Sequence, residues 1–136
     1  MARILGLDVG DKRIGVAVSD PMHTIATPHS VYTRVGYAPD VRHLSALAKQ
    51  VQADTLVLGL PLNMDGSQGF QTDKVLALAE KLQEAGLSIV LQDERLTTSS
   101  ANRSLIEGGM RREKRKNTVD MVAAAIILQA YLDSQN

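Results

Sequence analysis

The sequence predicts an α/β fold built on a five-stranded mixed sheet, an antiparallel three-strand meander plus two parallel strands, flanked by helices. Two β-branched-rich runs, residues 4–9 and 14–19, are joined by the short turn Gly10-Asp11-Lys12-Arg13, which is the pattern of a hairpin. Later apolar runs at 55–60 and 88–92 alternate with segments whose apolar residues recur at helical spacing. Helical crossovers make such strands parallel to the first under the right-handed crossover rule, so the sheet is mixed.

Residues 25–33 supply the third strand despite Pro28, which an edge position tolerates. Val41, Leu44, Leu47, Ala48 and Val51 then mark a helix over residues 40–52. The strand at 55–60 is stopped by Pro61, and Val75, Leu78, Ala79 and Leu82 form the inner stripe of a second helix that ends at Gly86. After the strand at 88–92 a polar helix is expected from about Thr98 to Glu107. Gly108-Gly109 breaks it, a charged segment from Arg111 to Lys116 intervenes, and an apolar helix runs from Thr118 to about Asp133. No repeat or low-complexity tract appears, and residues 1–136 are expected to form a single domain.

Composition sets limits on function. At 136 residues and 44% hydrophobic, the chain is long enough to bury a real core. Fifteen basic and fifteen acidic residues cancel, so nucleic-acid binding has to come from local patches rather than bulk charge. The absence of cysteine excludes disulfides, thiolate metal sites and cysteine nucleophiles, and suits a reducing compartment. The longest apolar run, residues 121–128, falls short of the ~20 residues of a spanning helix, and the N-terminus lacks a signal-peptide layout. A cytoplasmic protein without membrane association is the expectation.

Acids at the ends of apolar strands carry the chemistry. A carboxylate such as Asp8 is costly to desolvate unless a metal, a cation or a hydrogen-bond donor meets it. In α/β sheets the reactive crevice lies beyond the carboxyl ends of the parallel strands, where Asp8, Asn63 and Asp93-Glu94 all fall. Asp120 lies on a helical stripe with Ala123, Ala124, Ile127 and Tyr131, which turns its carboxylate toward the sheet. Three carboxylates there would bind a hard divalent cation, and a pair of such ions can activate water and stabilise the leaving oxygen of a phosphodiester. Adjacent strand residues point to opposite faces, so one of Asp93 and Glu94 is the ligand, and Glu94 is preferred with Asp93 as its alternative. The competing readings are structural: Asp8 paired with Lys12 or Arg13, a solvated strand end at Asp93-Glu94, and Asp120 stabilising the positive end of a helix capped by Asn117.

Cations near this rim are placed to meet phosphate. Lys12, Arg13 and Arg95 are expected to orient a phosphate backbone, and Arg111, Arg112, Lys114, Arg115 and Lys116 form either a solvated loop or an arm that folds over nucleic acid. Asn63 either contributes a neutral oxygen and contacts substrate or belongs to the turn before Asp65-Gly66. His23, His29 and His43 lack a ligand spacing, and the chain carries no Walker loop, His-Glu-x-x-His or Gly-x-Ser-x-Gly pattern.

The blocks Gly6-Leu7-Asp8-Val9-Gly10-Asp11-Lys12-Arg13-Ile14-Gly15, Gly59-Leu60-Pro61-Leu62-Asn63-Met64-Asp65-Gly66-Ser67 and Asp93-Glu94-Arg95-Leu96-Thr97-Thr98, with the Asp120-containing helix, resemble the YqgF family over nearly the whole chain. That family is described both as a Holliday-junction resolvase and as the nuclease that matures the 5′ end of pre-16S ribosomal RNA. The resemblance implies a ribonuclease H-like fold and a phosphodiesterase dependent on Mg²⁺ or Mn²⁺, with Asp8, Glu94 and Asp120 as the inherited catalytic and metal-binding acids. It implies precursor ribosomal RNA as partner, branched DNA as the alternative, and a monomer or homodimer. One departure stands out: resolvases of this fold commonly carry an acid on the fourth strand, whereas here the acids follow the fifth. The first hairpin also resembles the phosphate-binding hairpin of actin-like kinases, but those clamp nucleotide between two duplicated domains. A non-catalytic RNA-binding ribosome-assembly module is the third reading.

Overall fold

This computed structural model describes residues 2–61, 65, 67–93 and 112–135, with side chains described for all of these except 70 and 112–118. Five strands, β1 (Arg3–Val9), β2 (Arg13–Ser19), β3 (Ala26–Thr33), β4 (Ala53–Leu60) and β5 (Ser88–Asp93), lie in the order β3-β2-β1-β4-β5. The pairs β1–β2 and β2–β3 are antiparallel, while β1–β4 and β4–β5 are parallel. The meander and the two parallel strands therefore stand as expected. Pro28 sits in the edge strand β3, beside a register shift between Val16 and Ala17, the kind of position to which proline is confined in sheets.

Strand alternation divides the core in two. Leu5, Leu7, Ile14, Val16, Leu56 and Leu58 pack against the first two helices, α1 (Tyr37–Val51) and α2 (Phe70–Glu84), through Leu44, Leu47, Leu78 and Leu82. On the opposite face Ile4, Ala17 and Val57 meet Ala124, Ile127, Leu128 and Leu132 of the last helix, α3 (Arg112–Gln135). Small residues let α3 sit close: a Cβ on Gly6 would lie 2.6 Å from Leu128 Cβ and 2.9 Å from the Ala124 carbonyl oxygen. Between β4 and α2, the buried Thr72 hydroxyl accepts the Gly69 N–H at 3.1 Å and donates to the Pro61 carbonyl. Gly86, with φ 96°, lies just past the end of α2, where the left-handed backbone favours glycine.

Two boundaries differ from expectation. Helix α1 begins at Tyr37 rather than residue 40, because Pro39 in the first turn has no N–H that the helix needs. Helix α3 begins by Arg112, so residues 112–116 are helical rather than an intervening loop or arm, and Asn117 is an interior residue rather than an N-cap. The cause is propensity: Arg, Glu and Lys are good helix formers and no breaker separates them from Thr118. The expected polar helix at 98–107 and the Gly108-Gly109 break lie outside the described residues. No helix among the described residues is long and apolar enough to cross a membrane.

Candidate active site

The first hairpin and α3 form the core of the site. Gly10 N–H donates to the Arg13 carbonyl at 2.9 Å and closes the turn. Across the hairpin Asp8 pairs with Gly15, which sets their Cα atoms about 5 Å apart. Ile4 and Gly6 both meet α3, and alternation along β1 puts Asp8 on that same face. At Gly15 the helix touches the sheet backbone directly: an added Cβ would lie 2.0 Å from the Asp120 carbonyl oxygen and 3.1 Å from Asp120 Cβ. The glycine thus brings Asp120 down beside its strand partner, Asp8. Arg13, two residues before Gly15, donates its Nε to Asp120 Oδ2 at 2.8 Å.

Asp120 lies eight residues beyond Arg112, about 12 Å along the helix axis. The helix dipole acts within the first turn, so the reading of Asp120 as a partner of the helix N-terminus does not hold. Asp93 shares its side of β5 with Ile89, which packs on the α1–α2 core, and pairs with Leu60 of that same core. Its position on β5 is therefore on the sheet face opposite that of Asp8. Asn63, Glu94, Arg95 and Arg111 lie outside the described residues, and Arg112, Lys114, Arg115 and Lys116 are placed by backbone alone on the first turns of α3. Lys12 is exposed at the hairpin tip. Among the described residues no three His, Asp or Glu side chains gather as a metal site. Asp8 and Asp120 both flank Gly15, one as its strand partner and one from the helix above it, and carboxylate oxygens of this kind suit a hard divalent cation.

The RuvX family model, described as "Holliday junction resolvase", matches residues 2–134. This chain belongs to the RuvX family. RuvX is the family also called YqgF, so the resemblance read from the motif blocks stands. A relative from Caldanaerobacter subterraneus subsp. tengcongensis is 50% identical over 135 residues, covering 98% of this chain and 97% of its own. Another from Clostridioides difficile is 49% identical over 132 residues, covering 96% and 94%. Both are named "Putative pre-16S rRNA nuclease". Among solved structures, T. thermophilus RuvC in complex with Holliday junction substrate aligns over 99% of this chain and 96% of its own with a TM-score of 0.58 at 13% identity. That likeness shows the fold, which is ribonuclease H-like as the motif blocks implied.

In this RuvX chain the back of the hairpin is braced by residues that the acid-centred sequence reading passed over. Arg34 donates Nη1 to the Gly10 carbonyl at 3.0 Å and its backbone N–H to the Lys12 carbonyl at 2.8 Å. Its Nε reaches the fully buried Asp40 at 2.9 Å, and Asp40 also accepts the Val35 and Gly36 N–H groups. Burial of Asp40 opposes its ionisation, but those donors, with Tyr32, outweigh burial and hold its carboxyl below the ordinary range. Partial burial of Tyr32 itself, with its hydrogen bond to Asp40, raises the Tyr32 phenol. Asp11 at the hairpin tip is held low by Lys74, 2.7 Å away, and by Gln71. The available signal was Asp40 itself, an acid in a first helical turn that carries no side-chain cap.

Proposed function

We propose that this chain is a divalent-metal-dependent nuclease that cleaves phosphodiester bonds in structured nucleic acid, with 5′-end processing of pre-16S ribosomal RNA as its reaction in the cytoplasm. The observation that carries this reading is the packing of Asp120 onto Gly15, the strand partner of Asp8. Membership of RuvX and the names of its relatives support the reaction class.

Asp8 and Asp120, with Glu94, would hold Mg²⁺ or Mn²⁺. The bound cation supplies the charge that activates water and stabilises the leaving oxygen. Arg13 holds Asp120 through one carboxylate oxygen and so fixes the orientation of the other. Lys12 and Arg95, with Arg112, Lys114, Arg115 and Lys116 at the start of α3, meet phosphates of the substrate and set its register without reading sequence. Asn63 and Arg111 would also contact substrate.

The family description favours a second substrate, a four-way DNA junction. One experiment separates the two: cleavage of precursor 16S ribosomal RNA and of a four-way junction by a single preparation in Mg²⁺ and in Mn²⁺, with Asp8→Asn as control. Metal-dependent cleavage of the RNA that Asp8→Asn abolishes supports the proposal. Cleavage of the junction alone transfers the activity to DNA, and equal cleavage by both proteins rejects the metal site.

A further inference from the structure

A second feature lies behind the hairpin, on the α1–α2 face. Tyr37, at the start of α1, is shared by two cavities. One, of about 290 Å³, is lined by Asp11, Arg34, Val35, Gly36 and Lys74 besides Tyr37. The other, of about 510 Å³, adds Arg42, Lys81 and Glu84 to the residues around the ring. Each cavity is thus lined by two cations, and Tyr37 lines both. The Arg34 guanidinium carbon and Lys81 Nζ each lie 5.4 Å from the Tyr37 ring centroid, within cation–π range. Lys74 and Lys81 are seven residues apart on α2, about 10.5 Å along its axis. Tyr37 as a whole is 36% exposed and Val35, two residues before it, is 77% exposed, so apolar surface is open to solvent among the charged groups.

We infer that this groove binds a single-stranded stretch of nucleic acid flanking the cleavage site, with a base stacked on Tyr37 and phosphates met by Lys74 on one side and by Lys81 and Arg42 on the other. The inference rests on the nuclease reading for its substrate. Its position fits, because Asp11 lines the groove and lies three residues beyond Asp8 in the hairpin. A strand crossing the rim would pass over the hairpin tip into it.

Charge decides how such a strand would be held. Asp11 pairs with Lys74, Asp40 with Arg34, and Glu84 lines the second cavity, so the four cations are largely balanced. The Lys74–Asp11 pair is partly exposed, 34% and 51%, and pairs of that kind are weak enough for a phosphate to displace. Stacking on the ring therefore carries more of the binding than net charge does. Base–aromatic stacking tolerates any sequence, which suits a flank rather than a recognition site.

The test measures fluorescence anisotropy of labelled single strands of about 16 nucleotides, as RNA and as DNA, on full-length Asp8→Asn protein in Mg²⁺ so that the probe survives. Added Tyr37→Ala is expected to weaken binding about tenfold and Tyr37→Phe to retain it. Lys74→Ala with Lys81→Ala is expected to lower affinity and to make the salt dependence shallower by about one to two. Should Tyr37→Ala fail to fold, the paired lysine variant, which changes only surface side chains, carries the test alone. Binding and salt slope unchanged in the folded variants would overturn the groove. Cleavage by the wild-type protein is scored separately, so failure of the nuclease reading is distinguished from failure of the groove.

Discussion

Gly15 lies directly beneath the backbone of Asp120, so close that a single added methyl group would come within 2.0 Å of the Asp120 carbonyl oxygen. The neighbour at risk is backbone and has no rotamer by which to move away. Gly15→Ala therefore has to lift α3 from β2. The cost is expected at the upper end of the ~1–3 kcal/mol typical of overpacking. Since the displaced atoms include the Asp120 main chain, cleavage should fall by more than the loss of stability explains. A thermal melt and a cleavage rate on the same variant check this; an unchanged melting temperature would mean that the close contact is absent.

Arg13 and Asp120 are joined at 2.8 Å, with side chains 34% and 23% exposed. Such a partly solvated pair contributes less than ~1 kcal/mol to stability. Arg13→Ala should leave the melting temperature nearly unmoved while cutting cleavage about tenfold or more, because the carboxylate loses its orientation. Arg13→Lys should recover only part of the rate, since an ammonium lacks the planar fork. Full activity in Arg13→Ala would make the pair incidental.

Acid sensitivity follows from Asp20 and Asp40. Asp20 is held at about 2 by the Ile25 N–H, the Thr24 hydroxyl and the Thr24 N–H, and Asp40 is also held below its ordinary 3.8 despite its burial. A carboxyl whose folded-state value is depressed stabilises the fold above the unfolded-state value and loses that contribution as pH falls through the folded one. The melting temperature should hold steady from neutral pH and then drop between about 4 and 2, with a smaller drop in Asp20→Asn. Asp40→Ala, which strands Arg34 and two backbone N–H groups, should cost about 3 kcal/mol or more at neutral pH in a denaturant titration.

Sequence reading recovered the sheet because its strands advertise themselves: alternation and β-branched runs bounded by Gly and Pro leave few other arrangements for residues 4–9, 14–19, 55–60 and 88–92. Asp8 was conspicuous as an acid in apolar company, and the Asp120 stripe pointed inward because its alanines sit on the same side. What escaped was long-range or silent. The Arg13–Asp120 pair joins residues 107 apart, and no local pattern announces such a partner. Gly15 reads as a strand glycine until the helix above it is in place. The start of α3 was misplaced because residues 112–116 carry helix propensity without apolar periodicity, and α1 because proline signals a boundary more strongly than it forbids a first turn. Asp40 resembles any solvated acid in a helical first turn, yet it is wholly buried.

Asp8 and Asp120 are proposed to share a divalent cation. Titration of Mn²⁺ into the full-length protein by calorimetry, beside Asp8→Asn and Asp120→Asn with matched melting curves, tests this without reference to any substrate. Each single replacement should weaken Mn²⁺ binding about tenfold or more. Wild-type affinity for Mn²⁺ in either folded variant would exclude a cation shared by these two acids.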